Sequence, residues 1–242
     1  MKKIKNILRT FKWILLVILF TVGFFLTFTN QITNYLIESY HPVVYQTDTH
    51  NIDTPYEWSN VKPLTLKSVV EARIYHPHIK VIGGIYNEKL GLDVPIVNGV
   101  NNSIYALCAG VLKPHEQMGK GNYTLAGHNL KGDNNALLSP LYNKAKIGDI
   151  LYVTNFNQVY SYHITAKKTI SSYNNTILAA TTKPTLTLIT CNPNNSKRVE
   201  FTAKLINDGS YNNLSFNTKS YINEKYSLRS SRWDTININS QN

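Results

Sequence analysis

Thr185-Leu186-Thr187-Leu188-Ile189-Thr190-Cys191 is followed at once by Asn192-Pro193-Asn194-Asn195, and then by Arg198-Val199-Glu200-Phe201-Thr202-Ala203-Lys204-Leu205. The first run is built of β-branched and aliphatic residues, which suit a pleated, well-buried strand. Asn and Pro then supply a turn. In the second run Val199, Phe201, Ala203 and Leu205 share one face, and Arg198, Glu200, Thr202 and Lys204 share the other, the period of a strand. The same grammar repeats upstream, where short β-rich runs are broken by Gly, Asn, Asp and Pro. Strands are expected near Val81–Ile85, Leu92–Val97, Ile104–Leu112, Tyr123–Gly127, Ile150–Asn155, Val159–Ser171, Thr185–Cys191 and Val199–Ile206. Ala136–Lys144 reads as a short helix between the fourth and fifth, and Leu66–Tyr75 as a helical turn or two before the first. Eight strands joined by short links predict an all-β fold, an antiparallel barrel or sandwich rather than a parallel sheet.

The segments outside this block differ in kind. The first twelve residues carry Lys2, Lys3, Lys5, Arg9 and Lys12 and no acid, and Trp13–Phe28 is nearly unbroken hydrocarbon. At about 1.5 Å per residue that run nearly crosses a bilayer core, and the uncharged Thr29–Ile37 extends it. A cleavable signal peptide is the rival reading. The apolar run exceeds the usual ~7–15 residues, however, and no small-residue cleavage site follows it. The reading is therefore a basic flank at 1–12 left in the cytoplasm, an uncleaved transmembrane signal anchor at 13–37, and everything after it outside the cell. Residues 38–64, polar and carrying Pro42, Pro55 and Pro63, read as a tether, and 65–209 as the folded domain. Residues 210–242, rich in Ser, Asn and Tyr, read as a loosely packed polar extension.

Composition removes several classes of function. The 16 Tyr, 8 Phe and 3 Trp exclude disorder throughout, and two cysteines in 242 residues exclude a disulfide-stapled miniprotein. The net charge of +11 invites nucleic acid as a partner. Yet five of those charges lie in the basic flank, and no basic run interleaves with aromatics as nucleic-acid recognition requires. No nucleic-acid partner is expected. The remaining excess suits an extracellular domain facing anionic lipid heads and wall polymers.

Each cysteine deserves a separate reading. Cys191 ends a strand beside a turn, where a thiol is held rigidly and still reaches solvent, as a nucleophilic thiolate must. Cys108, inside Tyr105-Ala106-Leu107-Cys108-Ala109-Gly110, reads as a small buried hydrophobe. A Cys108–Cys191 disulfide is the open alternative for both. Thiol chemistry on an acyl group needs a proton carrier and an oxyanion donor. Of the histidines, His128 ends another strand within Ala126-Gly127-His128-Asn129. His76 and His78 lack further ligands at metal spacing, and His41, His50, His115 and His163 stand alone. Arg198 opens the strand after the Cys191 turn on its polar face, with a forked, permanently charged guanidinium within reach of the same spot.

Taken together these segments resemble a sortase, and specifically a class A sortase. Thr187-Leu188-Ile189-Thr190-Cys191 is similar to the family's Thr-Leu-x-Thr-Cys motif, Thr124–Asn129 to its histidine strand, and Arg198–Leu205 to its arginine strand. Leu112-Lys113-Pro114, Met118–Tyr123, Ser139-Pro140-Leu141 and Ile147-Gly148-Asp149 also fit. The resemblance spans roughly residues 80–206. It implies a membrane-tethered cysteine transpeptidase on an eight-stranded β-barrel. By that likeness Cys191 attacks a Leu-Pro-x-Thr-Gly-like sorting signal between Thr and Gly, forming a thioester. His128 protonates the leaving amine and later deprotonates the amine of a lipid-linked cell-wall precursor, while Arg198 holds the oxyanion. Ala126, Ile189 and Thr190 are implied to line the peptide groove. The second enzyme reading is a membrane-anchored cysteine endopeptidase that hydrolyses its peptide without transfer. A tethered β-domain that binds wall polymer is the non-enzymatic one. No metal or cofactor is expected. Calcium-binding relatives carry acids in the loops before the histidine and cysteine strands, whereas here Glu116 stands alone in the first region and Lys167–Pro184 contains none.

Overall fold

The computed structural model describes residues 2–45, 56, 61–75, 79–130, 132, 135–171, 175–192 and 196–229. His50, His76, His78, residues 193–195 of the turn after Cys191 and the tail from 230 lie outside them.

Eight strands close into one barrel. In chain order they are β2 (Gly83–Asn87), β3 (Leu92–Asn98), β4 (Ala109–Val111), β5 (Asn122–Ala126), β6 (Ile150–Thr154), β7 (Gln158–Ile170), β8 (Thr185–Cys191) and β9 (Arg198–Ser210), which follow a separate β1 (Val43–Tyr45). The order around the barrel is β2-β3-β4-β5-β8-β9-β7-β6. Apolar side chains from every strand meet inside, with Ile85, Leu92, Ile96, Leu125, Leu151, Tyr162, Ile164, Leu186, Leu188 and Phe201 all buried. The β8–β9 hairpin read from sequence is present, and its last cross-strand pair is Cys191 with Arg198. Small helices are α2 (Leu66–Tyr75), α3 (Asn102–Tyr105) and α4 (Ser139–Lys144), so α2 runs for nearly three turns rather than one or two.

Two strand expectations are corrected. Ile104–Leu112 is not one strand: Tyr105 N–H bonds Asn101 carbonyl to close α3, and only Ala109–Val111 is extended. A continuous apolar run of this length reads equally as buried helix or strand, and here it is split between them. Nor is the barrel wholly antiparallel, because β3 pairs with β4 and β5 with β8 in parallel. Side-chain period says nothing about pairing direction, and the intervening segments are long enough for crossovers.

The parallel β5–β8 pair matters most for the site. It brings the C-terminal ends of β5 and β8 to one rim, and the antiparallel β9 begins at that same rim. His128, Cys191 and Arg198 all leave the barrel there.

The described segments that flank the barrel pack more firmly than expected. The first helix, α1 (Lys2–Glu38), is long and apolar enough to cross a membrane, and its large apolar side chains from Phe11 to Phe28 are exposed. Its last turns, read as part of the span, turn Thr33 and Ile37 inward against the body. Helix C-terminal carbonyls have no partner within the helix and carry partial negative charge. Two cations meet them here: Arg73 on α2 donates to Leu36 carbonyl at 2.9 Å, and Lys225 donates to Glu38 carbonyl at 3.0 Å. The start of the expected tether is body as well. Tyr40 and Val44 are buried, and β1 pairs in parallel with β10 (Ser227–Arg229).

The loosely packed reading of the C-terminal extension is therefore corrected for 211–229. Helix α5 (Phe216–Lys225) is capped by Ser215, whose hydroxyl oxygen accepts Thr218 N–H, and Tyr211, Ile222 and Tyr226 are buried in the main core. Tyrosine does the burying that aliphatics do elsewhere, so a scan for aliphatic periodicity passes it by.

Candidate active site

Each member of the trio stands on a fixed piece of backbone. Cys191 closes β8, pinned by its pairing to Arg198 on one side. On the other side Asn129 donates from Nδ2 to Cys191 carbonyl at 2.8 Å. His128 follows the end of β5 and is held by three contacts around it. Gly127 N–H bonds Ile189 carbonyl at 3.1 Å, Thr190 hydroxyl donates to Gly127 carbonyl at 2.8 Å, and Leu138 N–H donates to His128 carbonyl at 3.1 Å. Ser139 hydroxyl oxygen accepts Leu130 N–H at 2.9 Å and fixes the next residue but one. Gly127 is required by close approach: a Cβ there would lie 2.7 Å from Cγ of the buried Leu138.

Electrostatics at the rim are set by burial and by one cation. Burial first, and then the Arg198 charge, push His128 down from 6.5 to about 4. Burial raises the Cys191 thiol, while the nearby Arg198 guanidinium opposes that rise. Burial thus disfavours the charged form of both groups, thiolate and imidazolium alike. Arg198 is half-exposed, yet its Nη1 is buried with no hydrogen-bond partner among the described residues. Such a donor, already in place beside the Cys191 thiol, suits an oxyanion.

Of the three residues expected to line the groove, Ala126 and Ile189 join Val100 and Tyr105 in a small apolar cluster apart from the main core. Thr190 is buried, and its hydroxyl is spent on the His128 segment. Two neighbours escaped the sequence reading. Tyr105 lies against the His128 ring at 4.4 Å between centroids, and burial and then the Cys191 charge raise its hydroxyl. Asn129 is the other. It stands beside His128 in the quoted motif, and that adjacency was the available signal.

Both cysteines are free, Cys108 buried and Cys191 partly exposed, so the disulfide alternative is not realised. Glu116 is committed elsewhere. Its carboxylate accepts Thr124 N–H at 2.7 Å and the Thr124 hydroxyl, with Lys113 Nζ at 3.3 Å. No group of three or more His, Cys, Asp or Glu side chains gathers among the described residues.

The comparisons fit this geometry. The model of the sortase domain matches residues 85–206. Sortase A of Streptococcus agalactiae serotype III (strain NEM316) is 30% identical over 239 residues, covering 93% of this chain and 96% of that protein. The chain belongs to the sortase family. As a sortase it is a cysteine transpeptidase, and its relatives named Sortase A are consistent with class A. Sortase A of Listeria monocytogenes serovar 1/2a (strain ATCC BAA-679 / EGD-e) is 28% identical over 183 residues, 72% of this chain and 82% of that one. The crystal structure of a Listeria monocytogenes sortase A superimposes with a TM-score of 0.53 at 28% identity, covering 62% of this chain and 99% of that chain. The sortase-domain match ends at Ile206, so α5 and β10 of this sortase lie beyond it.

Proposed function

We propose that this sortase cleaves a Leu-Pro-x-Thr-Gly-like sorting signal between Thr and Gly and passes the Thr acyl group to the amine of a lipid-linked cell-wall precursor. Cys191 is the nucleophile. Its proton goes to the neutral His128 imidazole, the thiolate attacks the Thr carbonyl, and Arg198 holds the oxyanion. His128 then protonates the departing Gly amine, leaving a thioester on Cys191. The incoming amine attacks that thioester and His128 takes up its proton. The thioester preserves the energy of the broken amide, so transfer needs no nucleotide. Ala126 and Ile189, with Val100 and Tyr105, supply apolar floor beside the reacting atoms, and Thr190 holds the His128 segment in register.

The observation that carries this reading is the closing pair of the β8–β9 ladder, Cys191 opposite Arg198, which sets a permanent cation beside the thiol. For topology, α1 anchors the protein with 1–12 in the cytoplasm and the barrel outside. The span runs mainly through Trp13–Phe28, and its last turns are docked on the body. The catalytic unit of 65–209 is completed by 211–229.

The test uses the full chain in detergent with a Leu-Pro-x-Thr-Gly peptide and short glycine or alanine peptides as acceptors. Product ligated at Thr and dependent on amine supports the reading. Free acid alone, whatever the amine, places the enzyme among hydrolases instead.

A further inference from the structure

Two buried polar atoms at this rim have no hydrogen-bond partner among the described residues, and they are of opposite kind: Arg198 Nη1 is a donor and Asn129 Oδ1 an acceptor. The orientation of the Asn129 amide is fixed chemically. Cys191 carbonyl can only accept, so the atom 2.8 Å from it is the nitrogen, and the oxygen is the one left over. The barrel order sets their residues on opposite sides of the strand that ends in Cys191: β8 lies between β5, which leads to Asn129, and β9, which begins with Arg198. A buried acceptor without a partner loses its hydration and gains nothing in return. Such groups in a folded protein call for a reason.

A peptide group supplies one. It carries a carbonyl oxygen on one side and an N–H on the other, the complement of a donor on one flank of Cys191 and an acceptor on the other. We propose that Asn129 Oδ1 accepts the N–H of the nitrogen bonded to, or attacking, the reacting carbonyl carbon, and so binds and orients the acceptor amine. This rests on Cys191 being the acylated residue. In the transfer step the amine nitrogen forms a bond to the thioester carbonyl carbon, and the carbon–sulfur bond breaks. One nitrogen-borne proton passes to His128 and on to the Cys191 sulfur. The hydrogen that stays on nitrogen, later the product amide N–H, points at Asn129. Water attacks from bulk at molar concentration and gains little from such a site. A dilute amine must be held in line, so its reaction depends on the contact.

The experiment measures partitioning of the acyl-enzyme. The full chain in detergent receives a Leu-Pro-x-Thr-Gly peptide and graded triglycine, and ligated and hydrolysed products are quantified by mass spectrometry. Both products come from one intermediate, so their ratio is independent of how fast that intermediate forms. Asn129→Ala is expected to raise the KM for triglycine at least tenfold and to shift the ratio about tenfold toward free acid. Asn129→Asp keeps an acceptor oxygen and loses the donor to Cys191 carbonyl, and it is expected to recover most of the ratio even where acylation is slow. An unchanged ratio in Asn129→Ala, or an equal shift in both variants, overturns the assignment and leaves Asn129 a backbone support. If the wild type forms no acyl adduct on Cys191, the reading of the nucleophile fails first, and that failure is seen before any acceptor is added.

Discussion

Tyr226 offers the sharpest test of whether the C-terminal extension is part of the catalytic body. It is 2% exposed, its ring meets Phe156 edge-on at 5.0 Å between centroids, and its hydroxyl stands 2.6 Å from where a Cβ on Gly84 would lie. The ring therefore fills space in the barrel wall that a glycine keeps open. Replacing a buried aromatic by alanine costs about 3–5 kcal/mol, of which the ring pair accounts for ~0.5–1.5 kcal/mol. For a body of this size each kcal/mol lowers Tm by about 2–4 °C, so Tyr226→Ala is expected to melt roughly 6–20 °C below wild type. Tyr226→Phe removes only the hydroxyl, which faces Asp93 without the geometry of a full hydrogen bond, and it is expected to cost about 1 kcal/mol or less. Phe216, at the start of the helix that leads to Tyr226, is 84% exposed, and Phe216→Ala is expected to stay within about 0.5 kcal/mol of wild type. Thermal unfolding of the full chain in detergent, followed by near-ultraviolet circular dichroism, reads all three. If Tyr226→Ala melts within about 2 °C of wild type, alongside Phe216→Ala, the extension does not belong to the folded unit.

Three further outcomes concern the rim. Gly127→Ala drives a methyl into Leu138; overpacking costs about 1–3 kcal/mol and displaces His128, so kcat/KM is expected to fall by ~100-fold, with the melting curve checking that the fold survives. Arg198→Met removes the cation that disfavours the imidazolium, so the His128 pKa should rise from about 4 while staying below 6.5 because burial remains; an NMR titration of the imidazole that shows no rise contradicts this assignment. The depressed pKa also couples His128 to stability. Between pH 6.5 and about 4 the unfolded chain takes up a proton that the folded one refuses, so stability falls as pH drops through that window, by about 3 kcal/mol, and levels off below it. Burial raises Asp93, which gives the opposite slope, so the quantity to measure is wild type minus His128→Gln. That difference should shrink as pH falls from 6.5 to 4, and a flat difference refutes it.

Much of the fold was legible because its grammar is local. The bounds of β8 and α2 agree with the sequence reading, and β9 opens at Arg198 opposite Cys191 but runs past the expected Ile206 to Ser210. His128, Cys191 and Arg198 were visible as residues at strand ends. Their meeting at one rim was not, since it depends on the parallel β5–β8 pairing, which no side-chain pattern encodes. Tyr105 hid within an apolar run that read as one strand and in fact opens with a helical turn. The 211–229 segment hid because the buried residues on either side of α5 are Tyr211 and Tyr226 rather than aliphatics, although Ser215 and Thr218 announce the helix start. The docking of α1 was hidden for a further reason. Thr33, Ile37 and Tyr40 look like the polar end of a span until Arg73 and Lys225, distant in sequence, arrive to cap its carbonyls.

The central claim is that acyl transfer runs through a covalent bond to Cys191. Mixing the full chain with a Leu-Pro-x-Thr-Gly peptide in the absence of amine, quenching with acid and taking the intact mass tests it directly. The account predicts an added mass equal to the peptide through Thr, mapped to the segment carrying Cys191, absent in Cys191→Ala and discharged within one turnover by triglycine. Turnover of the peptide without that adduct, or with Cys191→Ala as active as wild type, would contradict it.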